Sequence, residues 1–189
     1  MGQYYKPVSI EKKEHVLSHD FNNGLKLMEH SYIGNNFVAA VESLLVEGGR
    51  WHGDHIVWAG DYADNEPGTE TTKTPEGNNL YYICDITIKP EITRMKKLNY
   101  LVNLDTNEFV DFRKVPVSSE GDWTDKKGKT HHYTMKIHPL PLLTCEGNGR
   151  GGGDYHKQNP LVGKWARNRV VILSTKPKNG KEIVFDLVE

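Results

Sequence analysis

The chain has 189 residues, a hydrophobic fraction of 37% and a formal net charge of -1, which fits a single domain, residues 1–189, with its own core. A pI near 6.8 argues against duplex nucleic acid as a partner, because such binders usually carry a basic face and a high pI. A small nucleotide stays allowed. No apolar run is long enough to cross a membrane, and the N-terminal residues lack a signal-peptide pattern. Cys84 and Cys145 are expected to be buried free thiols, so we expect a cytoplasmic protein that does not bind membranes.

The first strong element along the chain is a helix near residues 36–46. Asn35 or Asn36 can cap its N-terminus, and Gly48-Gly49 can end it. Its apolar residues recur at spacings of three and four, as a buried helix face requires; they are Phe37, Val38, Val41, Leu44 and Leu45. The apolar run that follows, residues 55–59, is short enough for a buried strand.

The middle of the chain reads mainly as strands. Residues 80–88 are predicted to be one strand. Residues 100–104 and 108–112 flank a short polar turn and predict a hairpin. Residues 118–130 are polar and contain glycine and lysine, which indicates an exposed excursion, and residues 131–137 are predicted to return as a strand.

The last third contains two proline and glycine signals. Residues 138–141, His-Pro-Leu-Pro, are predicted to be extended, because proline disfavours the α conformation of the residue before it. Residues 170–174 and 183–188 flank Asn179-Gly180, and Asn-Gly is a strong hairpin signal. The expected fold is α+β, with a mainly antiparallel sheet built from hairpins, one clear helix and long loops.

The most conspicuous chemical feature is a glycine run at residues 147–155. Glycine lets a ligand approach the backbone closely, and successive N–H groups can bind an anion. Arg150 adds planar donors suited to phosphate, Asp154 can accept from a ribose hydroxyl, and Tyr155 can stack on a base. The alternative is a flexible surface loop. The proposed ligand-binding residues of the run are Gly147, Asn148, Gly149, Arg150, Gly151, Gly152, Gly153, Asp154 and Tyr155.

Two more polar clusters border apolar segments and are expected to converge with the glycine run. The first is Glu29-His30, where the histidine can move protons. The second is Asp61, Tyr62 and Asp64, after the predicted strand 55–59. The alternatives are a hydrogen-bonded structural histidine and an aspartate turn.

The spacing of His52 and His55 does not fit a zinc site, because Gly53 breaks a helix and no glutamate lies between them. No metal and no cofactor is therefore predicted.

Two stretches of the chain resemble each other. Residues 49–57 and 163–171 share glycine, a basic residue, tryptophan, then Asp or Asn and two β-branched residues. They fit two similar turn-into-strand units packed side by side, or a chance match, since no long repeat accompanies them. Their tryptophans, Trp51 and Trp165, are further candidates for stacking on a ligand.

Several stretches together resemble a protein family of phages, bacteria and some fungi that has no established activity. They span the chain: MGQYYK at 1–6, LKLMEHSY at 25–32, VWAGDYAD at 57–64, residues 100–103, HPLPLLT at 138–144, GNGRGGGDY at 147–155 and GKWA at 163–166. The resemblance favours a functional role for the glycine run over a random loop, but it implies no mechanism. The chain departs from the family at Arg167-Asn168, where Gly-Asp is expected.

The expected function is binding of a small phosphorylated or nucleotide-like ligand. Arg150 and the glycine amides are expected to hold its anion. If the chain is encoded by a phage and lies in host cytoplasm, sequestration of a nucleotide second messenger of host defence is one such function, by analogy of context. One alternative is a phosphodiesterase-type hydrolase with His30 or His138 as acid or base; another is a protein-interaction module. Oligomeric state is not readable from the sequence.

Overall fold

A computed structural model describes residues 2–69, 77–93, 98–147, 155 and 159–188. In this part of the chain the strands are β1 (Tyr5–Ser9), β2 (Glu14–Val16), β3 (His55–Gly60), β4 (Ile86–Ile88), β5 (Tyr100–Asn103), β6 (Glu108–Asp111), β7 (Ser119–Thr124), β8 (Thr130–Met135), β9 (Cys145–Glu146), β10 (Asn168–Leu173) and β11 (Lys181–Glu182). The α-helices are α1 (Leu27–His30), α2 (Asn36–Leu45), α3 (Leu80–Ile83) and α4 (Pro139–Thr144). None of these helices is long and apolar enough to cross a membrane.

One large sheet dominates the architecture, with the order β11-β6-β5-β10-β3-β1-β2-β4. Most neighbours are antiparallel, while β2–β4, β6–β11 and β3–β9 are parallel. β7 and β8 form a separate two-stranded sheet. The α+β class with a mainly antiparallel sheet is therefore confirmed, although the sheet is mixed and three short helices accompany the expected one.

Helix α2 forms where the periodicity predicts it. The Asn35 side chain caps it by accepting from the backbone N–H groups of Phe37 at 2.8 Å and Val38 at 3.4 Å. Its apolar residues, including Leu44 and Leu45, are buried in the main core, so packing of this face stabilises a helix that would be marginal alone.

Residues 138–141 are not extended, and that prediction is wrong. His138 itself is extended, with ψ 127°, but it caps α4, which begins at Pro139. Both prolines lie in the first turn of α4, where backbone N–H groups have no intrahelical partner. Proline there loses no hydrogen bond and supplies a helical φ.

The prediction of one strand at residues 80–88 is wrong in its first half. Residues 80–83 form the single turn of α3, and only Ile86–Ile88 is a strand. Leu80 and Cys84, one helical turn apart, both pack in a small cluster with Val8 and Val57. A strand would place Tyr82 on the same face as Leu80 and Cys84, whereas the residues that pack against this cluster are Tyr81 and Ile83.

The predicted C-terminal hairpin around Asn179-Gly180 does not form. β10 pairs with β5 over residues 170–173 and with β3 over residues 168–169, and the segment after Asn179-Gly180 does not pair back with it. The chain instead crosses to β6, with which β11 pairs in parallel. Gly180 also lacks the positive φ that the expected turn requires.

The sheet has an internal pseudo-two-fold arrangement centred between β3 and β10. In each half a hairpin is followed by a third strand that pairs antiparallel with the first strand of that hairpin: β1–β2 with β3, and β5–β6 with β10. A parallel strand, β4 or β11, covers each outer edge. His55 pairs directly with Arg169, its counterpart in the sequence match, and a two-fold axis produces that pairing. The two matching stretches are thus similar units packed side by side.

Side-chain contacts repeat in the two halves as well. Trp51 donates its indole N–H to Glu14 at 2.8 Å, and Trp165 donates to Glu108 at 3.0 Å. In both halves the basic residue just before the tryptophan binds the same carboxylate; these residues are Arg50 and Lys164. The hydrogen bonds from Arg50 hold the pKa of Glu14 below its ordinary value. Each carboxylate therefore fastens the turn before a central strand to the neighbouring hairpin.

We expect Glu14→Gln and Glu108→Gln to lower the free energy of unfolding by similar amounts, about 1–2 kcal/mol each. The amide still accepts from the indole but loses the charge-assisted bond to the basic residue. Urea denaturation measures both variants, with the exposed Glu47 as control through Glu47→Gln. Clearly unequal losses at Glu14 and Glu108 would contradict the equivalence of the two halves.

The halves differ in the link between helix and tryptophan turn. Both turns begin with the same backbone bond: the Trp51 N–H donates to Leu44 O at 2.9 Å, and the Trp165 N–H donates to Leu143 O at 2.6 Å. The first link runs directly from residue 44 to residue 51, whereas the second, from 143 to 165, also contains the glycine run. The second link is therefore the longer one, and it carries both β9 and the glycine run.

Candidate functional site

The glycine run leaves the sheet at the end of β9. Of its residues, the structure describes Gly147 and Tyr155; residues 148–154, including Arg150 and Asp154, lie outside the described part. Tyr155 is buried in the main core at 6% exposure, and burial raises the pKa of its hydroxyl. The structure therefore describes the first and the last residue of the run, Gly147 and Tyr155.

Gly147 lies against the N-terminal segment of the chain. A Cβ at Gly147 would approach the side-chain amide of Gln3 and the hydroxyl of Tyr5 to 2.5–2.6 Å. A Cβ at Gly60 would meet Gln3 Nε2 at 2.6 Å and the backbone oxygen of Glu146 at 3.1 Å. Only glycine leaves room for Gln3 at both positions. We call the surface formed by Gln3, Gly60, Asp61, Glu146 and Gly147 the Gln3 site.

Gln3 carries an unsatisfied donor at this site. Its side-chain oxygen accepts from the Tyr5 hydroxyl at 2.7 Å, while its Nε2 has no hydrogen-bond partner among the described residues although the residue is 2% exposed. Buried polar atoms are nearly always paired, and an unmade bond costs about 1–3 kcal/mol. Such a donor is suited to a ligand oxygen.

Asp61 lies at the same end of the sheet, immediately after β3. Its carboxylate accepts from the backbone N–H of Tyr4 at 3.0 Å, and burial raises its pKa. Tyr62 is 49% exposed and Asp64 is exposed, so both lie at the surface beside this end. Among the predicted site residues, the structure brings together Asp61 and Gly147 through the N-terminal segment.

Arg167 joins two carboxylates next to the Gln3 site. Its guanidinium donates to Glu146 at 2.6 and 2.7 Å and to Glu66 at 2.9 Å, and these hydrogen bonds raise its pKa. A cavity of about 280 Å³ adjoins this group, lined by Glu146, Gly147 and the turn around Gly163. Arg167 therefore offsets one of the two negative charges on this rim.

The backbone at Arg167 explains why glycine is expected there. Arg167 has φ 65°, in the left-handed region, and its counterpart in the first half is Gly53, with φ 82°. A side chain costs roughly 1 kcal/mol in this conformation. The ion pairs with Glu66 and Glu146 offset that cost.

His30 lies within the core below the Gln3 site. It is 0% exposed, and both ring nitrogens are engaged: Nε2 accepts from the Trp58 indole at 2.9 Å, and Nδ1 donates to Gly24 O at 3.2 Å. Burial lowers its pKa to about 4. Glu29 accepts from the Lys26 backbone N–H at 3.0 Å and so caps α1. Neither side chain is brought to the surface of the Gln3 site.

His138 is likewise engaged. Its Nδ1 accepts from the Leu140 N–H at 3.1 Å, and Nε2 donates to Glu42 at 3.0 Å. Trp51 and Trp165 are 0% exposed, with their indole N–H groups bound to carboxylates. These three predicted site residues hold the fold together, and none reaches the Gln3 site.

Sequence reasoning missed Gln3, Gly60 and Glu146. A buried glutamine in a short aromatic strand carries no local sign of an unsatisfied amide. The signal lay in the pairing of two glycines with one side chain, which only the fold reveals. Within the described part, no group of three His, Cys, Asp or Glu side chains is placed to hold a metal ion, and both cysteines are free and buried.

Comparison with protein-family models, curated proteins and solved structures finds no match to this chain.

Proposed function

We propose that the protein binds a small phosphorylated or nucleotide-like molecule at the Gln3 site, where the glycine run begins. The observation that carries the proposal is the buried Nε2 of Gln3, which has no partner within the described ranges. It lies between two glycines whose missing side chains make room for it, at the point where the glycine run begins. A phosphoryl or carboxylate oxygen would satisfy this donor.

The described side chains around the Gln3 site leave the attraction of an anion to the glycine run. Glu66 and Glu146 share Arg167, which offsets one of their two negative charges. In this proposal, Arg150 and the backbone N–H groups of the glycine run bind the anion.

The ligand class in this proposal is a nucleotide, and a nucleotide second messenger of host defence is its most specific form. Asp154 and Tyr155 are assigned to sugar and base on their chemistry alone. Sequestration needs binding without turnover. Both proposed histidine acid–bases have their ring nitrogens occupied, so the described residues favour binding over hydrolysis.

The first experiment incubates the protein with a mixed pool of linear and cyclic nucleotides and identifies bound and altered species by mass spectrometry. A bound, unaltered nucleotide supports the proposal. A new hydrolysis product indicates the phosphodiesterase alternative, and an untouched pool with no bound species contradicts both.

For a nucleotide identified in this way, we expect Gln3→Leu to weaken calorimetric affinity about tenfold, since one hydrogen bond to an ionised oxygen is lost. Arg150→Ala should weaken it about tenfold to a hundredfold, and Arg150→Lys should restore only part, because an ammonium lacks the bidentate fork. Melting temperature should change little in the Arg150 variants, whereas Gln3→Leu should also lower it, because the buried Tyr5 hydroxyl loses its bond to Gln3.

Lys178→Ala serves as the matched control, since Lys178 is an exposed cation in the loop before β11. It should leave affinity unchanged. Full affinity in both Gln3→Leu and Arg150→Ala would place the ligand elsewhere. A large loss of melting temperature with unchanged affinity would make Gln3 a purely structural partner of Tyr5.

A further inference from the structure

The β7–β8 hairpin projects as a separate two-stranded sheet with an exposed aromatic face. Trp123, 52% exposed, pairs across the strands with His131, and their rings stack at a centroid distance of 4.7 Å and an angle of 19°. Tyr133, 39% exposed, lies over Gly121 on the same face. An aromatic surface of this kind that does not pack on the core is unusual, because burial normally rewards tryptophan strongly.

The tip of the same hairpin carries unpaired positive charge. Lys126, Lys127 and Lys129 are exposed, and none forms an ion pair with a described residue. Asp125 is the one acid of the turn 125–129 and contacts His131 at 3.0 Å, while Asp122 and Glu120 lie further along β7. Three lysines against one carboxylate leave this turn with a net positive charge.

Geometry brings the lysines and the aromatic face together. The Asp125 N–H donates to Lys129 O at 2.9 Å, which continues the cross-strand register past Trp123 and His131. Because side chains alternate along a strand, Lys129 and His131 share a face, and alternate residues lie about 7 Å apart. The ammonium group of Lys129 therefore belongs to the residue two positions along the strand from the stacked rings of Trp123 and His131.

We propose that this hairpin binds single-stranded nucleic acid, with exposed bases stacking on Trp123 and Tyr133 and the tip lysines holding the phosphates. Stacking platforms beside lysines are the general means of holding single strands, because every base has a π-face. A duplex hides its base faces and lacks this contact. The proposal is independent of the ligand at the Gln3 site.

Trp123 gives the interaction its own optical signal. The other three tryptophans, Trp51, Trp58 and Trp165, are 0% exposed, so iodide should quench only Trp123. We expect an oligothymidylate to quench the same emission and to protect it from iodide. Trp123→Ala should weaken binding of a labelled oligothymidylate at least about tenfold by anisotropy, and Trp123→Phe should retain much of the affinity.

The lysines are tested by salt dependence. Replacing Lys126, Lys127 and Lys129 together by glutamine should lower the slope of log K against log salt by about 2, since each phosphate contact on a single strand contributes about 0.7. The matched control replaces Lys89, Lys178 and Lys181, which are also exposed, and should leave the slope unchanged. Absence of binding overturns the proposal. So does equal loss in both triple variants, or binding of a matched duplex as tight as that of the single strand.

Discussion

Deletion of residues 176–189 is expected to unfold the protein. These residues add β11 to the edge of β6 and place Phe185 and Leu187, at 3% and 1% exposure, in the main core. Removing a buried Phe typically costs about 3–5 kcal/mol and a buried Leu about 2–5 kcal/mol. Together they approach the whole stability of an ordinary domain, about 5–15 kcal/mol.

Two point variants distinguish the loss of a buried side chain from the effect of shortening the chain. Phe185→Ala should lower the free energy of unfolding by about 3–5 kcal/mol. Its neighbour Val184 is 79% exposed, and Val184→Ala should change it by less than about 0.5 kcal/mol. Urea denaturation measures both. A truncated protein that melts cooperatively at the wild-type temperature would show that the core closes without this segment.

Acid should destabilise the protein through His30. Burial lowers the pKa of folded His30 to about 4, whereas the pKa of histidine in an unfolded chain is about 6.5. Between these two values the unfolded state binds a proton that the folded state does not bind. The stability associated with neutral His30 is therefore complete above pH 6.5 and is lost as the pH falls towards 4. The total loss is about 3 kcal/mol.

Urea denaturation at a series of pH values between 7 and 4 tests this expectation. His30→Gln should be less stable than wild type at pH 7, because the ring packing on Phe37 and Trp58 and the Nδ1–H bond to Gly24 O are lost, but it should lose less stability on acidification. His15, whose pKa burial also lowers, leaves a residual slope. The exposed His19 provides the control, since His19→Gln should keep the full wild-type pH dependence. A His30→Gln variant with that same dependence would show that another group causes it.

The elements predicted correctly are those whose pattern is complete within a few residues. Helix α2 combines a cap with an apolar face, and the β5–β6 hairpin has two strands around one polar turn. The errors have two sources. Residues 80–83 and 139–141 belong to short helices although their local pattern predicts extended chain. Asn179-Gly180 is a sound local hairpin signal, yet a distant strand, β6, pairs with the segment that follows it.

The candidate site shows the same limit. The glycine run is conspicuous in the sequence, whereas Gln3 becomes informative only once Gly60 and Gly147 are placed against it. Histidines and tryptophans are favoured as site residues because of their chemistry, but the same polarity lets them satisfy buried hydrogen bonds. Here His30, Trp51 and Trp165 do that, and solvent exposure distinguishes them from Trp123.

The pseudo-two-fold arrangement of the sheet is the counterpart, within one chain, of a closed homodimer. In a dimer of identical chains, every loop exists twice, and a change that improves one copy alters the other. A single chain is free of that constraint. Here the first link between helix and tryptophan turn is short, whereas the second also carries β9 and the glycine run. A surface built from the second link therefore occurs once per chain, although the sheet beneath it is nearly symmetric.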